Sequence, residues 1–190
     1  MIIGLVRHGQ TDFNKKGIIQ GHIDNPLNKE GINQVKKLGI HLKQYDKSWD
    51  YIGYTPLKRA YESATILNSF LNIKLSFAYK KLIERDFGPF DGKDVSVVKD
   101  IFKQKDYKVE GFENDSLLLE RVKNALFELN QKYTDKKVLF VCHSHVIKSA
   151  LILVDPKTYS FMNYYVSNSS IYYFDISEST IKFIKKIDLE

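Results

Sequence analysis

The chain opens on a run that is apolar at nearly every position, Met1 to Val6, and a matching run, Val138 to Cys142, lies far downstream. A run of this kind, without alternation, reads as a strand of a parallel sheet with both faces covered. Each run leads straight into a histidine: Arg7-His8-Gly9 after the first, His143 after the second. Parallel sheets bind ligands beyond the carboxyl ends of their strands. The two histidines are therefore predicted to meet at one edge, and the arginine beside His8 makes an anion the natural ligand.

The rest of the pattern fills in the layers. A polar loop, Gln10 to Leu27, closes with the turn signal Asp24-Asn25-Pro26. Asn28-Lys29-Glu30 opens a helix whose apolar positions Ile32, Val35, Leu38, Leu42 and Tyr45 recur at helical spacing. Trp49 to Tyr54 is a strand, and Thr55-Pro56 reads as a helix cap with proline at the first helical position. The helix it opens would bury Leu57, Ala60, Ala64, Leu67 and Leu71, before a third strand over Ile73 to Ala78. Phe87 to Asp115 is punctuated by glycine and proline and weakly periodic; it is predicted to be a lid insertion with one short helix over Val95 to Phe102. Asp115-Ser116 starts a helix carrying Leu118, Leu119, Val122, Leu126 and Leu129; Ser144 caps another through Leu153; Ser170 to Asp175 and Thr180 to Ile187 form a closing hairpin. Strands alternating with helices predict an α/β fold, a three-layer α/β/α sandwich with a mostly parallel central sheet and a small lid insertion at about residues 87–115.

A length of 190 residues, 43% of them hydrophobic, fits one domain over residues 1–190. No apolar stretch has the length of a membrane span, and the first six residues lead into charged chemistry instead of a cleavage site, so a soluble cytoplasmic protein is expected. The single cysteine excludes an intramolecular disulfide framework and a cysteine-cluster metal site. A net charge of +6 raises the question of nucleic acid or membrane partners. The lysines are scattered in pairs such as Lys36-Lys37 and Lys136-Lys137, with no block and no aromatic stripe, so neither partner is expected. Only four basic residues are arginine, and two of those, Arg7 and Arg59, fall near strand ends, where a planar guanidinium suits phosphate better than lysine does.

Arg7, His8, Arg59, Glu84 and His143 thus collect on one predicted edge, with a helix N-terminus at Ser144 adding positive dipole. This is a phosphate pocket holding a candidate nucleophile. The strings that build it are Arg7-His8-Gly9-Gln10-Thr11 with Asn14, Gln20-Gly21-His22-Ile23-Asp24-Asn25-Pro26-Leu27, Pro56-Leu57-Lys58-Arg59-Ala60, Leu82-Ile83-Glu84 with Phe87-Gly88, and His143. In order and spacing they resemble the histidine phosphatase superfamily, phosphoglycerate-mutase-like branch, from Met1 to roughly Leu151. The resemblance implies that His8 attacks phosphorus and becomes a phosphohistidine, that Arg7, Arg59 and His143 hold the phosphoryl oxygens with Asn14 assisting, and that Glu84 protonates the departing oxygen and then helps water attack; Gln20 and, through its helix N-terminus, Ser144 are further candidates for binding phosphate. An acid near neutral pH needs a raised pKa, from burial or from a neighbouring phosphate. Neither metal nor cofactor is implied.

The chain also departs from the family pattern, with Tyr54-Thr55 where two serines are common and Ser144 where glycine is common. Phe112 separates Gly111 from Glu113, which removes the ground for giving Glu113 a substrate role. His22 and His145 neighbour motif residues without a role of their own, and Cys142 is a packed apolar residue. Phe90, Phe102, Tyr107, Phe112 and His22 are candidates to line an entrance, which favours an apolar or planar leaving group. The expected function is hydrolysis of a small phosphorylated metabolite; a 2,3-bisphosphoglycerate-dependent mutase is the alternative, and a non-catalytic phosphate-binding domain ranks third. Oligomeric state, including a homodimer, stays open.

Overall fold

Parity along the central strands sorts the core into two layers. In the computed structural model, which describes residues 1–96, 99, 103–104 and 107–189, β1 (Ile2–Arg7) pairs in parallel with β4 (Lys137–Cys142). Alternate side chains of a strand point to opposite faces. Leu139 and Val141 accordingly pack with α2 (Lys29–Tyr45) and α3 (Lys58–Leu71), while Val138, Phe140 and Cys142 pack with α4 (Asp115–Lys132) and α5 (Ser144–Val154). Both faces are covered, which is why these strands need no polar positions.

The sheet has six strands in the order β3-β2-β4-β1-β5-β6. Strands β2 (Tyr51–Tyr54) and β3 (Leu75–Ala78) extend the parallel half, and β5 (Ile171–Ile176) and β6 (Ile181–Ile187) close the other side as an antiparallel hairpin. Lys182, Lys185 and Lys186 stand on the edge strand β6, where charge discourages pairing with another chain. Beyond β1 the chain runs to α2 in one layer, and beyond β4 it enters α5 in the other. A crevice opens where neighbouring strands part in this way. Among the described residues, no helix is long and apolar enough to cross a membrane.

Local chemistry moves several boundaries. The predicted loop after β1 contains a short helix, α1 (Asp12–Lys16), set by a reciprocal capping box between Thr11 and Asn14 and stopped at Gly17, whose φ is 68°. Thr55 does not cap α3: Leu57 is the N-cap and Lys58 the first helical residue. Ser144 is likewise the first residue of α5, with His143 at the N-cap. Asn72, at φ 54°, ends α3, and Ile73 precedes β3 as a buried residue of the turn. The helix predicted over Val95 to Phe102 lies largely outside the described residues, as does Phe102.

Glycine sets one close approach on which the site depends. A Cβ on Gly31, in the first turn of α2, would stand 2.1 Å from the Gln10 carbonyl oxygen, and one on Gly9 would stand 2.5 Å from the Gly31 carbonyl oxygen. Backbone packs directly on backbone, so the segment after His8 is pressed against α2. We expect Gly31→Ala to destabilise the protein by about 1–3 kcal/mol through overpacking, read as a lower urea midpoint. An unchanged midpoint would show that α2 can shift freely.

Candidate active site

In-register pairing of β1 with β4 sets Arg7 opposite Cys142, so the residues that follow, His8 and His143, lie side by side. His8 N–H donates to the Cys142 carbonyl at 3.1 Å, and the two imidazole centroids are 5.2 Å apart. Both rings are buried. His8 Nδ1 lies 2.8 Å from the Gly9 carbonyl, which can only accept, so Nδ1 carries the hydrogen and Nε2 keeps its lone pair. Burial, then the charges of Arg59, His143 and Arg7, hold the His8 pKa well below 6.5 and keep the ring neutral.

Polar residues from distant segments fix the His8 backbone. Asn168 Nδ2 donates to the His8 carbonyl at 2.9 Å, and Ser169 N–H donates to the Arg7 carbonyl at 3.0 Å. Ser63, one helical turn after Arg59, accepts from Gly9 N–H at 3.0 Å and donates to the Arg59 carbonyl at 2.7 Å. It couples the segment carrying His8 to the helix carrying Arg59.

Arg7, Arg59 and His143 surround His8 with buried cationic or polar groups. Arg7 Nη1 donates to the Val166 carbonyl; Arg59 donates from Nη1 to the Ile23 carbonyl and from Nη2 to the Gly21 carbonyl, at 2.8 and 2.7 Å. Burial lowers the Arg59 pKa to about 10, against the pull of Glu84 and Asp24. Thr55 Oγ1 is 2.7 Å from His143 Nε2. A hydroxyl proton given to Nε2 leaves Nδ1–H of His143 as a donor. Among the described residues, Arg7 Nε, Arg59 Nε and His143 Nδ1 are buried without a protein hydrogen bond. Buried donors are seldom left unpaired, and N–H donors on three side chains near His8 are of the kind that pairs with anionic oxygens.

Asn14 and Gln20 spend their oxygens on the loop. Asn14 Oδ1 accepts from Thr11 N–H and Asn168 Nδ2, and Gln20 Oε1 from Thr11 Oγ1 and Asn25 Nδ2. These bonds do not use the amide nitrogens, the ends able to donate to a phosphoryl oxygen. Ser144 is half-buried at the start of α5, and the first-turn N–H of His145 donates to Glu84 Oε1 at 3.2 Å. The helix dipole therefore acts partly on Glu84.

Glu84 is buried, and Oε1 also accepts from Arg85 N–H at 2.9 Å and lies 3.8 Å from His145 Nδ1. Burial pushes its pKa up, but the His145 ring, the His143 ring and the Arg85 N–H outweigh it and hold the carboxyl well below the ordinary range. Burial thus does not make Glu84 an acid, contrary to the first of the two routes expected from sequence. His22, without an assigned role in the sequence, donates from Nε2 to the Glu84 carbonyl at 2.9 Å. Arg121 forks onto Glu113 at 2.6 and 2.8 Å and donates to the Lys81 and Ile83 carbonyls, bracing the same segment. Arg85 is buried against the Phe161 ring, 4.3 Å from its centroid, with Asp115 at 2.6 Å. Sequence pattern alone offers no signal for these braces, because each joins particular partners without a repeating period. Phe90 and Phe112 are buried with Ile19 and Phe87 in a small core against which Tyr107 packs, and Phe112 also lines a cavity with His22. Cys142 packs in the main core as expected.

A parallel sheet edge carrying a neutral histidine inside a ring of unpaired donors defines an α/β protein with a built anion site. Residues 3–188 match the histidine phosphatase superfamily (branch 1), and the chain belongs to that family. It is 35% identical over 159 residues to the uncharacterized phosphatase PhoE of Bacillus subtilis, covering 82% of this chain and 80% of that protein. It is 30% identical over 170 residues to phosphoserine phosphatase 1 of Hydrogenobacter thermophilus, covering 83% and 79%. A phosphoglycerate mutase structure from Bacillus anthracis superimposes with a TM-score of 0.86 at 22% identity, over 97% of this chain and 91% of that one. The fold is thus shared with both phosphatases and a mutase.

The buried rings make stability depend on pH. His8, His143 and His145 are all held below the ordinary 6.5, chiefly by burial, and His145 is held at about 4. The unfolded chain therefore binds protons below about pH 6.5 that the folded protein refuses, so stability is full above that pH and falls as pH drops. Glu84, also depressed, adds a loss of the same sign below its ordinary 4.5. Going from about pH 7 to about pH 5, His145 alone should cost about 2 kcal/mol, and His145→Asn should recover much of it in urea titrations. A midpoint that is flat over this range would contradict neutral burial of the rings.

Proposed function

We propose that the chain hydrolyses small phosphate monoesters through a phosphohistidine on His8, without a metal ion. The observation that carries this reading is the locked tautomer of His8: Nδ1 is tied to Gly9, and Nε2 is directed by elimination to the ligand side among unpaired donors. The family assignment and the PhoE relative agree with a phosphatase.

In the first step Nε2 attacks phosphorus in line with the ester oxygen; the P–N bond forms as the P–O bond to the leaving group breaks. A loose transition state spreads charge over three equatorial oxygens, so fixed positive charge matters more than covalent help. Arg7, Arg59 and His143 supply that charge and those donors, with the amide nitrogens of Asn14 and Gln20 and the Ser144 end of α5 as further contacts. No metal is needed for this role. Glu84 gives a proton to the leaving oxygen, then takes one from the water that attacks the phosphohistidine, releasing phosphate and neutral His8. Its low pKa in the free protein means that Glu84 is protonated only in the complex: a phosphate dianion beside the carboxylate raises the pKa, the second of the two routes expected from sequence, and Glu84 takes up a proton from solvent as the substrate binds.

Hydrolysis of phenyl phosphate should persist in excess chelator and fall by at least about 10³-fold in His8→Ala. Dependence on an added divalent metal would overturn the mechanism, and isomerisation of 3-phosphoglycerate outpacing hydrolysis would make the chain a mutase. In Glu84→Gln, an alkyl phosphate should lose about 10²–10⁴-fold in rate while 4-nitrophenyl phosphate, whose leaving group needs no proton, loses far less. Equal losses on both esters would remove Glu84 as the acid.

A further inference from the structure

A cavity of about 440 Å³ adjoins the candidate site, walled by Ile19, Phe87, His145, Lys148, Phe161 and Met162. His145 forms the shared wall. Glu84 Oε1 lies 3.8 Å from its Nδ1, and its ring stacks on Phe161 with centroids 5.5 Å apart and meets the edge of Phe87 at 5.1 Å. A leaving group protonated by Glu84 would extend past His145 into this space. Most of the walls are apolar, and aromatic faces accept a planar or aliphatic body.

Two lysines also line it: Lys99, beside Ser96, is exposed, whereas Lys148 is half-buried. Lys148 follows His145 by three residues on α5, so the two side chains share a helix face. Its ammonium donates to the Phe161 carbonyl at 2.7 Å, which uses one of three hydrogens. Among the described residues it forms no ion pair, although burial and the charge of Arg7 already press its pKa down to about 8. A largely desolvated cation facing an apolar cavity is stabilised by a monoanion brought with the ligand. Phosphate dianions suit the forked arginines; one ammonium with two free donors suits a carboxylate.

Building on the phosphatase reading, we propose that this cavity is the leaving-group site, and that Lys148 selects phosphomonoesters whose leaving group carries a carboxylate on an apolar or planar body.

The test compares kcat/KM for 4-carboxyphenyl phosphate and its neutral 4-carboxamide analogue, with the 3-substituted pair run alongside to vary reach. The wild type should favour a carboxylate ester by at least about tenfold. Lys148→Met should bring that ratio to about one, Lys148→Arg should keep it above about threefold, and in the wild type it should decline as pH rises through about 8, where Lys148 loses its proton. Equal rates on both members of both pairs in the wild type, or a preference that survives Lys148→Met, would overturn the proposal. If no ester is turned over, phenyl phosphate included, the phosphatase reading fails instead. Calorimetric binding of the same pairs then decides the cavity's preference, and a carboxylate advantage below about threefold overturns it.

Discussion

Burial of two guanidinium groups beside one histidine is the constraint around which this protein is organised. Taking a cation out of water costs several kcal/mol unless hydrogen bonds and opposite charge compensate. Arg7 and Arg59 also sit in each other's field. Among the described residues neither forms an ion pair; main-chain carbonyls accept from both, Val166 from Arg7 and Gly21 and Ile23 from Arg59, and the charges of Glu84 and Asp24 favour the Arg59 cation from further away. A carbonyl can do this only if its loop folds inward. The loop bearing Gly21 is held in turn, since a Cβ on Gly21 would stand 2.2 Å from an oxygen of Asp91, which accepts from His22 N–H. The irregular segments around the site are therefore as constrained as the strands.

That division decides what could be read from the sequence. The buried strands, the helices opened by Asn28 and by Asp115, and the meeting of His8 with His143 follow from apolar period and strand-end placement, because the physics that sets them is local or repeats. Boundaries slipped where a polar side chain had a distant partner. Thr55 looked like a helix cap, but its hydroxyl is committed to His143, 88 residues away, and the helix starts later. The five-residue α1 has no apolar stripe to reveal it, although Thr11 and Asn14 carried its capping signal. His22, Ser63, Arg121 and Asn168 act through hydrogen bonds to particular partners, most of them distant in the chain, which leave no period in a sequence.

Scarcity of arginine turns out to be more informative than two positions suggested. All four arginines of this lysine-rich chain serve the same region: Arg7 and Arg59 beside His8, Arg85 against the Phe161 ring, and Arg121 forking onto Glu113 and the carbonyls before Glu84. In each place the planar fork or face of the guanidinium is used, which an ammonium cannot copy. The lysines do other work, on the solvated faces and the sheet edge. Lys148 stands apart from both groups, half-buried on the wall of the cavity beside His145 with its ammonium on the Phe161 carbonyl.

The unpaired donors give the site its energetic character. A buried N–H left without any partner costs a folded state about 1–3 kcal/mol, and among the described residues Arg7 Nε, Arg59 Nε and His143 Nδ1 have no partner within the protein. The core that holds them is fully covered on both sheet faces and can sustain it. A bound dianion relieves the cost, but a relaxed loop would relieve it too, by turning donors toward water. Backbone packing of Gly9 on Gly31, the Ser63 link and the Asn168 clamp resist that relaxation. Donors that cannot turn away need no reorganisation when charge spreads over equatorial oxygens, which is what the proposed phosphoryl transfer would draw on.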